Sequence, residues 1–154
     1  MKTAKCGLLA RAALICVPAL ALAQVFTFEI AGPVAAQDFA LKRAAFVFRT
    51  NGCADPRNAG VSASAEGLID GVRRSMMLKV VASSKPGVYA VMQQWETGRW
   101  AVVLNGSCGD ARAGAIIPVG PSGFVRQASK FFTHPATAAE IEAALKAFPE
   151  GGYK

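Results

Sequence analysis

The residues able to do chemistry are few and widely spaced. His134 is the single histidine of the 154-residue chain, so a nucleophile-activating imidazole or an imidazole metal ligand has to be this one. A small secreted hydrolase would pair it with a serine and a carboxylate, but no Gly-x-Ser-x-Gly turn presents a nucleophile. Asp55, Asp70 and Asp110 lie among turn formers, where aspartates usually cap turns. A copper site needs soft or imidazole ligands converging on one point. The candidates are Met76 or Met77 together with Met92 and His134. Met76 and Met77, adjacent on a strand, point to opposite faces and cannot chelate together; core packing accounts for methionines equally well. The expectation is therefore no catalytic residue and no cofactor, with a copper protein using Met92 and His134 as the alternative and a small hydrolase as the second.

Four cysteines are present, at 6, 16, 53 and 108. Lys2, Lys5 and Arg11 precede the apolar run AALICVPALALA, which ends in the small-x-small pattern Ala21-Leu22-Ala23. This is the arrangement of a secretory signal peptide. Cleavage after Ala23 is expected, with a cut after Ala36 as the alternative; an uncleaved anchor over Ala12 to Phe28 is the competing assignment. Removal of the signal leaves Cys53 and Cys108, an even pair bound for an oxidising compartment, and predicts one disulfide between them. Three of the basic residues leave as well, so the formal net charge of +7 falls to +4. The remaining lysines and arginines are scattered. Arg73-Arg74 would project to opposite faces of a strand, so a nucleic-acid interface is not expected. The mature protein is expected to be periplasmic or secreted, without stable membrane insertion.

The elements that position these residues are organised around Pro86 to Cys108. Two alternating runs flank Glu96-Thr97-Gly98 and read as a β-hairpin closed at the glycine. Tyr89, Val91, Trp100, Val102 and Leu104 are expected to face the core. Packing of both Trp95 and Trp100 in or over the core is the leading reading. The alternative is that Trp95, beside the turn, is an exposed aromatic anchor ringed by Glu96, Thr97 and Arg99, which makes these four residues the hypothesised partner-binding tip.

Elsewhere, Ala44 to Thr50 and Val61 to Glu66 read as strands and Gly67 to Gly71 as a turn. Val72 to Val81 reads as one strand without clean alternation. Gly106 to Gly114 reads as a glycine-rich loop, Ala115 to Val119 as a short strand, and Phe124 to Phe132 as a last strand or irregular edge. Thr137-Ala138-Ala139-Glu140 fits a capping box, with Ile141, Leu145 and Phe148 on one stripe of a helix and Glu142 paired to Lys146. The domain plan is a signal over 1–23, a β domain over 38–134 and a C-terminal amphipathic helix over 135–149.

Short strands separated by turn signals, with one distant cysteine pair, predict an antiparallel β-sandwich. The order Pro86-Gly87-Val88-Tyr89, then Gly98-Arg99-Trp100 and a β-rich run, resembles bacterial extracytoplasmic Ig-like domains of the YtkA-like and FixH-like kind. It is also similar to carboxypeptidase regulatory-like and transthyretin-like sandwiches. The resemblance implies an Ig-like, mainly β fold and an exported, non-enzymatic binding or accessory module whose partner is a protein of the cell envelope. Some relatives are associated with copper proteins.

Overall fold

A computed structural model describes residues 25–32, 39–120 and 123–147. The signal segment, the possible cleavage after Ala36 and Phe148 lie outside them. Two antiparallel sheets face each other across an apolar core. The first contains β1 (Thr27–Ala31), β2 (Ala44–Asn51), β6 (Val88–Met92) and β5 (Val80–Ala82), in that spatial order. The second runs β10 (Lys130–Phe132), β8 (Ala111–Gly120), β7 (Arg99–Cys108), β3 (Gly60–Ile69) and β4 (Val72–Leu78), with β9 (Gly123–Phe124) paired to β8. The protein is thus an antiparallel β-sandwich with one C-terminal helix, as its strand-and-turn pattern predicts.

Alternation decides what each sheet buries. Phe46 and Phe48 of β2 point inward, and Phe28, Phe48 and Tyr89 form a row with ring centroids 5.5 and 5.3 Å apart. Val47 points outward, beneath Leu41 of α1 (Phe39–Lys42). On the second sheet, Trp100, Val102 and Leu104 face the core. Ala101 and Val103 face outward and are covered by Ile141, Ala144 and Leu145 of α2 (Ala138–Lys146). β7 is therefore apolar on both faces because both faces are covered. The start of α2 is the expected capping box: Thr137 accepts from the Glu140 N–H, and the Glu140 carboxylate accepts from the Thr137 N–H. Those bonds, from the Thr137 backbone first and then its hydroxyl, hold the Glu140 carboxyl below the usual carboxylate range. Lys146 Nζ lies 2.7 Å from Glu142 Oε1.

Cys53, just past β2 of the first sheet, is bonded to Cys108 at the end of β7 in the second. The bridge that export predicts is present, and it ties one sheet to the other.

Several strand assignments differ from the sequence expectation. β6 and β7 do not form a hairpin, because β6 pairs with β2 and β5, and β7 with β3 and β8. The run Val72 to Val81 is two strands that change sheets at Lys79. The segment 106–114 is not a loop: only Gly109 and Asp110 turn, and β7 and β8 extend through Gly106 and Gly114. Gly106 lies beneath the Phe28 and Phe26 rings, and Gly114 beneath the backbone of residues 134–136, so each glycine marks a close approach within a strand. β3 continues to Ile69, and the turn into β4 is Asp70-Gly71, both at positive φ. The sandwich also begins before residue 38, since β1 pairs with β2 and buries Phe28 and Ile30.

Candidate ligand pocket at the sheet crossover

Residues 93–98 carry the chain from one sheet to the other. Sheets in a sandwich lie about 10 Å apart, and the crossover spans that gap at one end of the molecule. Gln94 anchors it to the β4–β5 corner, its side-chain oxygen accepting from the Lys79 N–H at 2.6 Å; the Lys79 carbonyl accepts from the Met92 N–H at 3.1 Å. Trp95 turns inward and is 9% exposed, part of the main core. Gly98 has φ +154°, and a Cβ there would sit 2.4 Å from Ile69 Cδ1. The conformation favours glycine, whereas the contact is with the movable end of the Ile69 side chain.

The crossover and the end of β8 enclose a cavity of about 210 Å³ lined by Gln93, Trp95, Glu96, Thr97, Gly98 and Gly120. Glu96 and Thr97 stand exposed on its rim. Behind Gly98 lies the indole of Trp100, which is 1% exposed; its Nε1 is 3.3 Å from where a Gly98 Cβ would be. That N–H has no acceptor among the described residues. A buried donor without a partner carries a desolvation penalty of about 1–3 kcal/mol; Gly98, and not Trp100 itself, is what lines the cavity on this side.

Of the four residues expected at an exposed tip, Glu96 and Thr97 line the cavity, while Arg99 is half-buried at the start of β7, opposite Leu68. Trp95 is buried, in line with the core-packing reading and against the hypothesis of an exposed anchor. Because its strands are split between sheets, it closes the end of the core instead of capping a protruding hairpin. Gln93 and Gly120 were not legible as site residues, since only the three-dimensional path of β8 brings Gly120 to the crossover. The unpartnered Trp100 N–H has no sequence signal at all.

The metal alternative is dispersed. Met92 packs with Leu41 and Ala44 on the outer face of the first sheet, whereas His134 sits beside Phe132 and Glu140 on the outer face of the second. Met76 lies against the core and Met77 is exposed. Among the described residues no cluster of three His, Cys, Asp or Glu side chains is placed to hold a metal ion. His134 Nε2 is 3.7 Å from Glu140 Oε1, and Glu140 is committed to capping α2. Asp55 caps its own turn through the Arg57 N–H and the Asn58 amide; Asp70 and Asp110 occupy the β3–β4 and β7–β8 turns. A larger, open groove of about 360 Å³ borders Ser62, Asn105, Ser107 and Arg112, but the Arg112 guanidinium is turned onto the carbonyls of Gly109 and Ala111.

The fold and the pocket define a disulfide-bridged β-sandwich with a small cavity of mixed polar and apolar lining at the crossover between its sheets. Comparison with protein-family models, curated proteins and solved structures finds no match to the chain.

Proposed function

We propose that this is an exported, non-enzymatic binding or accessory module of Ig-like fold, whose crossover pocket receives one acceptor-bearing side chain of a protein partner in the cell envelope. The buried, unpartnered Trp100 N–H behind Gly98 carries this reading, because it is a donor that protein folding alone leaves unused. The cavity combines apolar surface with a few polar side chains, Gln93, Glu96 and Thr97, beside the aromatic Trp95, as recognition sites do. Its 210 Å³ suits a single side chain better than a drug-sized ligand. The lining holds one carboxylate and no histidine or cysteine, a composition suited to holding a group and not to transforming it.

Glu96→Lys and Thr97→Arg alter exposed rim positions, so melts should stay within ~0.5 kcal/mol of wild type. Crosslinked capture of the envelope partner should fall at least ~10-fold with either, as at interface hot spots. On partner addition, the Trp100 indole N–H resonance should shift in wild type and stay in place in both variants. Undiminished capture with both variants, or an indole resonance that ignores the partner, would refute the pocket.

Export is supported by the N-terminal pattern and by the Cys53–Cys108 bridge. No helix among the described residues is long and apolar enough to cross a membrane. The burial of Phe26, Phe28 and Ile30 favours cleavage after Ala23, since a cut after Ala36 would strip β1 from the core. Intact mass of the exported protein should show Gln24 as first residue and no free thiol. A start at Gln37, retention of the leader, or two free thiols would contradict this.

A further inference from the structure

We infer that the free edge of β4 is a docking strand for an extended acidic segment of another protein, independently of the crossover pocket. β4 pairs only with β3, leaving its other edge without a strand neighbour among the described residues. It extends from the turn at Asp70-Gly71 to the corner at Lys79, where the chain leaves for the first sheet. Such an edge offers a row of backbone donors and acceptors to an incoming strand.

The side chains on this edge specify what that strand should carry. Val72 is 59% and Met77 71% exposed, two of the four large apolar side chains described as exposed. Alternation puts Val72 with Arg74 on one face, and Met77 with Arg73 and Ser75 on the other. Met76 and Leu78 on the first face pack into the core, so each face exposes one large apolar and one guanidinium group, and the strand carries no acid. The Arg73 guanidinium is 3.4 Å from Glu66, whose other oxygen accepts from the Ser75 hydroxyl at 2.6 Å. Arg74 has no ion pair or hydrogen bond among the described residues. Cross-strand partners interact directly, opposite charges favourably and like charges unfavourably. The matching strand therefore has two adjacent acidic residues, opposite Arg73 and Arg74, flanked by apolar ones opposite Val72 and Met77. The same two arginines disfavour self-association in registers that oppose them.

The test is a capped, fluorescein-labelled seven-residue peptide with two adjacent glutamates flanked by valines, titrated into the mature, oxidised protein. Saturable binding that weakens with salt is expected, with slowed amide exchange over residues 72–78. Arg74→Glu touches no protein partner and should melt like wild type, yet weaken binding at least ~10-fold; a peptide with lysines replacing the glutamates should prefer that variant. Absence of saturable binding, equal affinity of wild type for both peptides, or protection elsewhere would overturn the inference. So would a dimer of the protein joined through β4, which would make a second copy the occupant.

Discussion

Trp100→Ala is expected to be the most damaging substitution of a single side chain, lowering stability by ~3–5 kcal/mol as truncation of a buried aromatic does. Trp100 is 1% exposed and lies flat over Gly67, its cross-strand neighbour on β3. A Cβ on Gly67 would fall 2.5 Å from Trp100 Cε3, which no unshifted structure accommodates. Gly67→Ala is therefore expected to cost ~1–3 kcal/mol by overpacking. In the Trp100→Ala background the obstruction is gone, and the same change should be nearly neutral. Denaturant melts of the two single variants and the double variant measure this coupling directly. Equal cost of Gly67→Ala in both backgrounds would show that the ring does not rest on the glycine. Trp95→Ala belongs to the same class, because Trp95 is itself a core residue, 9% exposed. It should melt as a core variant, and it is unsuitable as a test of partner binding.

Which residues face inward was legible, and which strands are neighbours was not. Period-two alternation correctly placed Tyr89, Val91, Trp100, Val102 and Leu104 in the core. Alternation, however, is identical for a hairpin and for two strands in facing sheets. Gly98 was recognised as a turn residue, but its φ of +154° serves a crossover pressed against Ile69, not a two-residue hairpin turn. The irregular pattern of Val72 to Val81 has a different origin. Met76, Leu78 and Val80 keep one inward parity across the change of sheet, and the alternation is masked because Met77 and Val81, on the opposite parity, are apolar as well. The glycines at 106 and 114 misled because composition cannot distinguish a glycine that bends the chain from one that lets a ring or another backbone lie against a strand. The capping box needed no such context: its residues are three apart and satisfy one another locally. At the candidate site, the local stretch Glu96-Thr97-Gly98 was visible, whereas the contribution of Gly120 and the stranded indole donor depend on contacts between elements distant in sequence.

Removing the disulfide is expected to cost about 4 kcal/mol, the chain-entropy value for a loop of this size, since the bridged residues are 55 apart. The position of the bridge argues for a large effect as well as the loop length. The closed segment contains β3, β4 and β7 of the second sheet and β5 and β6 of the first, so the link restrains the unfolded chain across both halves of the sandwich. Cys53 is 9% exposed and packs with the core, which shields the bond from reductant in the folded state. The Cys53→Ala/Cys108→Ala double variant avoids leaving one free thiol and should unfold in guanidinium with a markedly lower midpoint. Its slope should be somewhat steeper than that of the oxidised protein, because an unlinked chain exposes more surface on unfolding. Oxidised wild type should resist reductant until conditions that open the sandwich, and should then lose the bond and the native fluorescence of its tryptophans together. A stability difference under ~1 kcal/mol between oxidised wild type and the double variant would show that the sheets hold each other without the bridge, and that its loop-closure contribution is offset in the native state.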